Sequence, residues 1–337
     1  MVWDGKLKIS DTAGFLRQVA DSYDSNERVL MEYIDNSLDD ADDLATKSNG
    51  IYPYVIRLQI VLDTKRREIK LIDNCRGMKL AILERLVQNV AESKKKGLSW
   101  VNGQFGFGVH AFRKVAHSIT FETKNADDQY YYLKFNREQT ENIAAPKIKD
   151  RKFPSDTGTG TMVTLTGFES GDFEELTAQT IKDEIELHFE RLLSKPNLEV
   201  TIVVDGHETI FCKAFDYESI TGKEFKRTIP VDLDGVSKNI ELCLKITETI
   251  THRQPTFFLK GRRIAPISDI KSFISNSKHR TGVWGNNYLI GYIEANGIVE
   301  PVITRDDFKK ENRRLFYQKI LELEDEIKSQ IDELNKK

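Results

Sequence analysis

Glu32 and Asn36 stand four residues apart in the run Glu32-Tyr33-Ile34-Asp35-Asn36. On a helix that spacing brings both side chains to one site, a turn apart. A carboxylate there is a candidate general base, and an amide oxygen is a suitable hard ligand for a divalent cation. Three further runs are built around small residues: Asp73-Asn74-Cys75-Arg76-Gly77-Met78, Gly103-Gln104-Phe105-Gly106-Phe107-Gly108, and Gly160-Thr161-Met162-Val163-Thr164-Leu165. Glycine lets a backbone bend sharply and approach a ligand closely. Each run also has a plainer reading. The acids can be a solvated helix face, Asp73–Gly77 a β-turn, and Gly158–Thr161 a turn that opens a strand.

Periodicity locates the elements that must hold these residues. Residues 12–23 and 25–46 read as helices, the second with Leu30, Ile34, Leu38 and Ala41 on one stripe and Glu32, Asn36, Asp39 and Asp43 opposite it. Residues 55–62 and 68–72 read as a hairpin, followed by a helical stretch near 79–91. Residues 92–108 are polar, Gly-rich and aperiodic, which fits either a functional lid or disorder. Strands are expected at 117–123, 129–135 and 161–166, and an amphipathic helix at 174–193. Pro196-Asn197 is the best boundary signal. Beyond it, strands are expected at 198–204, 208–215, 238–247, 256–260 and 288–299, a helix near 268–275, and a long exposed helix over 306–336 whose partial apolar stripe suggests further packing or a stalk.

The bulk properties narrow the class. A length of 337 residues predicts two domains. With 39% hydrophobic and 31% charged residues, the chain has the makings of a real core, against disorder, collagen-like repeats or a disulfide scaffold. A formal net charge of −3 advertises neither nucleic acid nor membrane as a partner of the whole chain. Cys75, Cys212 and Cys243 fit no metal or redox spacing and read as reduced thiols. The start lacks the apolar stretch of a signal peptide, and no run of about 18 apolar residues occurs, so a cytoplasmic protein without membrane contact is expected.

Taken in order, the four motifs resemble the GHKL ATPase superfamily, the group of gyrase, the ninety-kilodalton heat-shock chaperones, sensor histidine kinases and MutL. The resemblance covers roughly residues 25–168. Within that group the chain looks most like the MORC ATPases and their prokaryotic relatives, on Glu32–Asn36 and Thr304-Arg305-Asp306-Asp307-Phe308. Phe258-Leu259-Lys260-Gly261-Arg262-Arg263 is similar to a strand of MutL-type transducers. The resemblance implies an α+β chain: a Bergerat-type ATP-binding α/β sandwich over 1–195, then a smaller α/β transducer (S5-like) domain over 196–337 with a C-terminal helix.

The same resemblance implies the site. Glu32 matches the family's catalytic glutamate, and Asn36 would contact Mg²⁺ held mainly by the phosphates of ATP and by water. Asp35 points away by helical geometry and reads as structural. Asp73 sits where the family's aspartate accepts the adenine amino group, with Gly77 and Met78 against the base and Thr161 bridging through water. Cys75 replaces the usual Gly, so a strained positive φ and altered base contacts are expected there. Gly103, Gly106, Phe107, Gly108 and Val109 would bend over the triphosphate, with Lys94 the candidate among Lys94–Lys96 for phosphate contact and the others solvated. His110 reads as packing. Arg305 occupies the position of a lysine that reaches the γ-phosphate; pairing with Asp306 or Asp307 is the competing reading.

The resemblance also implies an ATP-dependent homodimer. Residues 251–320 hold 13 Lys/Arg against 6 Asp/Glu, which suggests a DNA surface or an ordinary face balanced elsewhere. An ATP-gated dimer acting on DNA is the first functional expectation and a chaperone-like ATPase for protein clients the second. A histidine-kinase role is disfavoured by Glu32, which the kinases lack.

Overall fold

Alternation over Ile56–Asp63 puts Ile56, Leu58, Ile60 and Leu62 on one buried face, and Glu68–Asp73 does the same with Ile69, Leu71 and Asp73. These strands are the middle of a large sheet in the computed structural model, which describes residues 11–88, 108–302 and 307–334. The chain divides into two units. The first comprises residues up to Ile185 together with Lys195–Lys213, the second Glu186–Ser194 and the chain from Ala214 onward.

The first unit opens with α1 (Thr12–Asp21) and α2 (Asn26–Thr46). Ser25 starts α2 by accepting the Arg28 N–H on its hydroxyl, a cap that satisfies one of the free N-terminal donors. Then come β1 (Ile56–Asp63), β2 (Glu68–Asp73), α3 (Leu80–Gln88), a 3₁₀ segment at Gly108–Lys114, β3 (Ala116–Lys124), β4 (Tyr130–Asn136), the short β5 (Lys147–Ile148) and β6 (Gly160–Phe168). Three helical pieces follow, α4 (Asp172–Glu175), α5 (Ala178–His188) and α6 (Glu190–Leu193), of which α6 and the end of α5 belong to the second unit, and after them β7 (Leu198–Val204) and β8 (Glu208–Phe211) belong to the first. The eight strands form one mixed sheet in the order β5-β4-β3-β6-β2-β1-β7-β8, parallel only between β1 and β7. One face of the sheet meets α2 and the 3₁₀ segment through rings: Tyr33 on Phe121 and Phe112 on Phe135.

Three expectations change. The strands after Pro196 complete the first sheet, because β7 finds a parallel partner in β1, a long-range pairing that local composition does not announce. The helix expected over 174–193 is three pieces, interrupted where Leu176 turns with ψ 62° and where Phe189 has ψ 18°. The terminal helix is neither continuous nor an exposed stalk. It is α8 (Arg313–Leu321) and α9 (Glu324–Leu334), whose Phe316, Ile320, Ile327 and Ile331 are buried in the second unit's core.

That second unit is built on β9 (Gly222–Leu233) and β10 (Val236–Thr247), joined through Asp234 and Gly235 at φ 53° and 80°, then β11 (Thr256–Leu259), β12 (Arg262–Pro266), α7 (Lys271–Ile274) and β13 (Leu289–Glu294). Both turn residues with positive φ make a tight two-residue hairpin connection that matches the strand twist. Strand order is β12-β11-β13-β10-β9. Phe257 sits in the centre of the core, with Phe273, Phe308 and Phe316 at 5.3–5.6 Å between ring centres.

Candidate nucleotide site

The apolar stripe of α2 buries Val29, Leu30, Ile34, Leu38 and Ala41, which turns Asn36, Asp40 and Asp43 toward a cavity of about 400 Å³. Across from the helix the cavity is lined by Met78, Ile82, Phe121, Thr161 and Val163, with Asp73 in its wall.

Asp73 is the last residue of β2, and its carboxylate is fixed by three donors. Ser37 Oγ donates to Oδ2 at 2.6 Å, and the N–H groups of Cys75 and Thr161 donate to Oδ1 at 2.9 and 3.0 Å. Burial pushes the carboxyl up to about 6, although these three hydrogen bonds pull the other way. An ionised carboxylate has about four acceptor positions, so three donors leave capacity for a ligand.

Two glycines make the approach possible. Gly77 has φ 71°, and a Cβ there would lie 2.2 Å from Lys124 O. Gly160 has φ 139°, and a Cβ would lie 2.1 Å from Asp73 O. Any side chain at either position would force the strand ends apart. The Met78 N–H donates to Thr123 Oγ1 at 2.7 Å, and that hydroxyl lies 3.2 Å from Thr161 Oγ1. The turn after β2 is thereby tied to β3 and β6.

Cys75 corrects one expectation. It is not among the residues with positive φ; Gly77 takes that conformation instead, so the thiol costs no backbone strain. Its side chain is buried with Sγ 3.5 Å from Ser37 O, and burial pushes the thiol pKa well up.

Asn36 is exposed, lines the cavity, and its amide makes no hydrogen bond to any described residue. A single amide oxygen beside a cavity fits the few protein ligands that Mg²⁺ needs when phosphates and water complete its shell. Glu32 is half-buried one turn earlier, against Gly108, where a Cβ would lie 2.5 Å from Oε2. Val109 lines the cavity, and its carbonyl accepts from Tyr33 OH at 3.4 Å. Asp35 is buried away from the cavity lining. Lys94, Gly103, Gly106, Phe107 and Arg305 lie outside the described residues.

Residues 23–164 match the family model described as histidine kinase-, DNA gyrase B- and HSP90-like ATPase. Over that segment the chain is similar to the ATPase domains of the GHKL group. No curated protein matches the chain in a sequence comparison. The matched segment contains α2, the Asp73 turn and the start of β6, which are the elements that wall the cavity.

Several residues at the site escape sequence reasoning. Arg76 donates to Asp40 from its backbone N–H and Nε, both at 2.9 Å, and lies 2.7 Å from Asp43 Oδ2. Burial opposes the guanidinium charge, but the two carboxylates hold its pKa up. The period of α2 places Asp39 and Asp43 on the polar face, but Asp39 is buried and it is Asp40 that joins Asp43 on Arg76, 36 and 33 positions on, a pairing nothing local announces. Ser37 and Thr123 are likewise visible only once strands and helix meet. His110 is buried against Phe135, and its pKa falls to about 4 through burial and the neighbouring Arg113, which suits packing.

The basic segment 251–320 reads differently in space. Lys278 lies 3.7 Å from Asp325, Lys309 2.6 Å from Glu300, Arg313 3.5 Å from Asp307 and Lys319 3.1 Å from Glu322, while Arg262 is buried. Asp325 and Glu322 fall beyond residue 320, outside the span whose charges were compared. No helix among the described residues is long and apolar enough to cross a membrane.

Proposed function

We propose that the ATPase domain hydrolyses Mg²⁺-ATP slowly, in the cavity between α2 and the sheet, with Glu32 as the base that orients the attacking water. The observation that carries this reading is the Asp73 carboxylate, held by Ser37, Cys75 and Thr161 with acceptor capacity left toward the cavity. A fixed acceptor favours the amino edge of adenine over the carbonyl edge of guanine. Gly77 and Gly160 let backbone come close to the base, and Met78 packs on its face. When bound, ATP and Mg²⁺ supply the phosphoryl group and the charge that offsets it. Asn36 supplies an amide oxygen to the cation, and Glu32 takes a proton from water. The resemblance assigns contact with the phosphates to Lys94, Gly103, Gly106, Phe107, Gly108 and Val109, and contact with the γ-phosphate to Arg305.

The reading extends to a MORC-like protein in which the second unit, expected over 196–337, acts as a transducer, ATP closes two copies into a dimer, and the dimer acts on DNA. Its support is the resemblance of Thr304–Phe308 and Phe258–Arg263 to the transducer segments of those relatives.

Calorimetry with a non-hydrolysable ATP analogue tests the site. Asp73→Asn is expected to weaken binding at least tenfold, and unchanged affinity would remove Asp73 from base recognition. Light scattering with and without the analogue tests the dimer, since a mass that does not double in its presence would refute closure.

A further inference from the structure

The nucleotide cavity occupies only one face of the first sheet; Phe121, Thr161 and Val163 point into it. On the opposite face the β5 edge has another chemistry. Register sets Tyr132 between Glu122 of β3 and Lys147 of β5, and sets Lys134 beside Thr120. The Lys149 N–H bonds to Tyr130 O at 2.8 Å, so the edge continues past β5 with Lys147 and Lys149 two residues apart. In an extended chain that spacing is about 6–7 Å on one side.

Glu122 is buried under this edge and serves two cations at once. Lys149 Nζ lies 2.7 Å from Oε1 and Arg151 lies 3.0 Å from Oε2. The same two cations lie over rings, Lys149 at 5.3 Å from the Tyr132 centre and Arg151 at 5.8 Å from that of Tyr130. Lys134, Lys147 and Lys152 are exposed, and their side chains make no ion pair or hydrogen bond to any described residue. Asp150 is the one exposed acid within 147–152.

We propose that this β4–β5 edge binds the phosphate backbone of duplex DNA. The surface deepens the DNA reading above, rests on it, and lies apart from the cations of residues 251–320. A row of cations at strand spacing suits a regularly repeating polyanion. Lysines act as point charges without a planar fork, so the contact positions the duplex and does not read its bases. Lys149 and Arg151 share the single Glu122 carboxylate and lie over Tyr132 and Tyr130, so two positive charges meet one negative charge there.

The test is fluorescence anisotropy of the full chain on a short labelled duplex, across about 50–200 mM salt. Wild type is expected to bind with a log–log salt slope of about −3 to −4. The variant K134E/K147E/K152E is expected to lose at least tenfold in affinity and about 2–3 units of slope, with K134Q/K147Q/K152Q between the two. ATP turnover and thermal melting should match wild type in both, since none of these residues lines the cavity. The control K271E/K310E/R314E, within 251–320, should bind within twofold of wild type. Undiminished binding by K134E/K147E/K152E would overturn this surface and leave the DNA reading standing. Absence of binding by wild type would overturn both. Competition by polyglutamate as effective as by DNA would overturn the assignment to nucleic acid in favour of an acidic protein.

Discussion

The two units differ in what their buried acids face. The second is packed with rings around Phe257, with Trp284 and Phe316 fully inside. The first places Asp35, Asp39, Asp42 and Asp73 inside, three of them on the helix that walls the cavity. Burying a carboxylate costs several kcal/mol unless hydrogen bonds or cations compensate. The first unit meets that cost with specific partners: Ser37, Cys75 and Thr161 for Asp73, Tyr52 and Lys195 for Asp42. The second unit's buried Glu324 is taken up by Ser277, the Lys278 N–H and Trp284, whereas Asp73 of the first unit stands in a cavity wall with acceptor capacity left for a polar ligand.

That contrast can be broken at its apolar end first. Phe257→Ala should cost about 3–5 kcal/mol of unfolding free energy, read by denaturant titration. A loss under about 1 kcal/mol would show that the ring cluster is not what holds the second unit.

At the polar end, Glu32→Ala should leave the fold and nucleotide affinity nearly intact. Turnover should fall by about 10²–10³, in the range of a positioned base. A phosphate-release assay checks it, and a variant that turns over at the wild-type rate would remove Glu32 from the chemistry.

Asp73→Asn sharpens the comparison through pH. Asp73 titrates near 6 in the fold against an ordinary 3.8, so the folded chain holds that proton more tightly than the unfolded one. Its contribution is full below about pH 4 and is lost as pH rises through about 6, a swing of up to about 3 kcal/mol. Thermal melts from pH 4 to 7 should show that decline in the wild type and a flatter curve in Asp73→Asn. Nucleotide should stabilise wild type more at pH 7 than at pH 5, because the adenine amino group needs the ionised acceptor.

The smallest effect belongs to the surface. Arg227 and Glu326 pair at 2.6 Å with both side chains more than two-fifths exposed, and Arg227→Ala should change stability by less than about 1 kcal/mol. A larger loss would point to the stacking of Arg227 on Phe225 at 4.4 Å as its real contribution.

Local pattern was enough for much of this protein. The 3.6-residue period of 25–46 put Asn36 on the face opposite Leu30 and Leu38, and the alternation in 55–62 and 68–72 predicted the hairpin that ends at Asp73. Both signals are written in consecutive residues and survive any tertiary context that buries one face. The four motifs likewise predicted the nucleotide domain that the family match supports. Other features depend on residues far apart in the chain. β7 joins the first sheet because β1 offers a parallel edge about 140 residues earlier, and the terminal helices turn inward because Phe257 and Trp284 await them. Arg76 reaches Asp40 and Asp43, Thr123 ties the turn to β6, and Lys278 finds Asp325, all by long-range closure. Sequence determined which faces are apolar and which residues can do chemistry, because those are local properties of the chain. Tertiary structure alone decided which polar groups meet, because a buried charge settles on whatever partner the packed strands bring within hydrogen-bond reach.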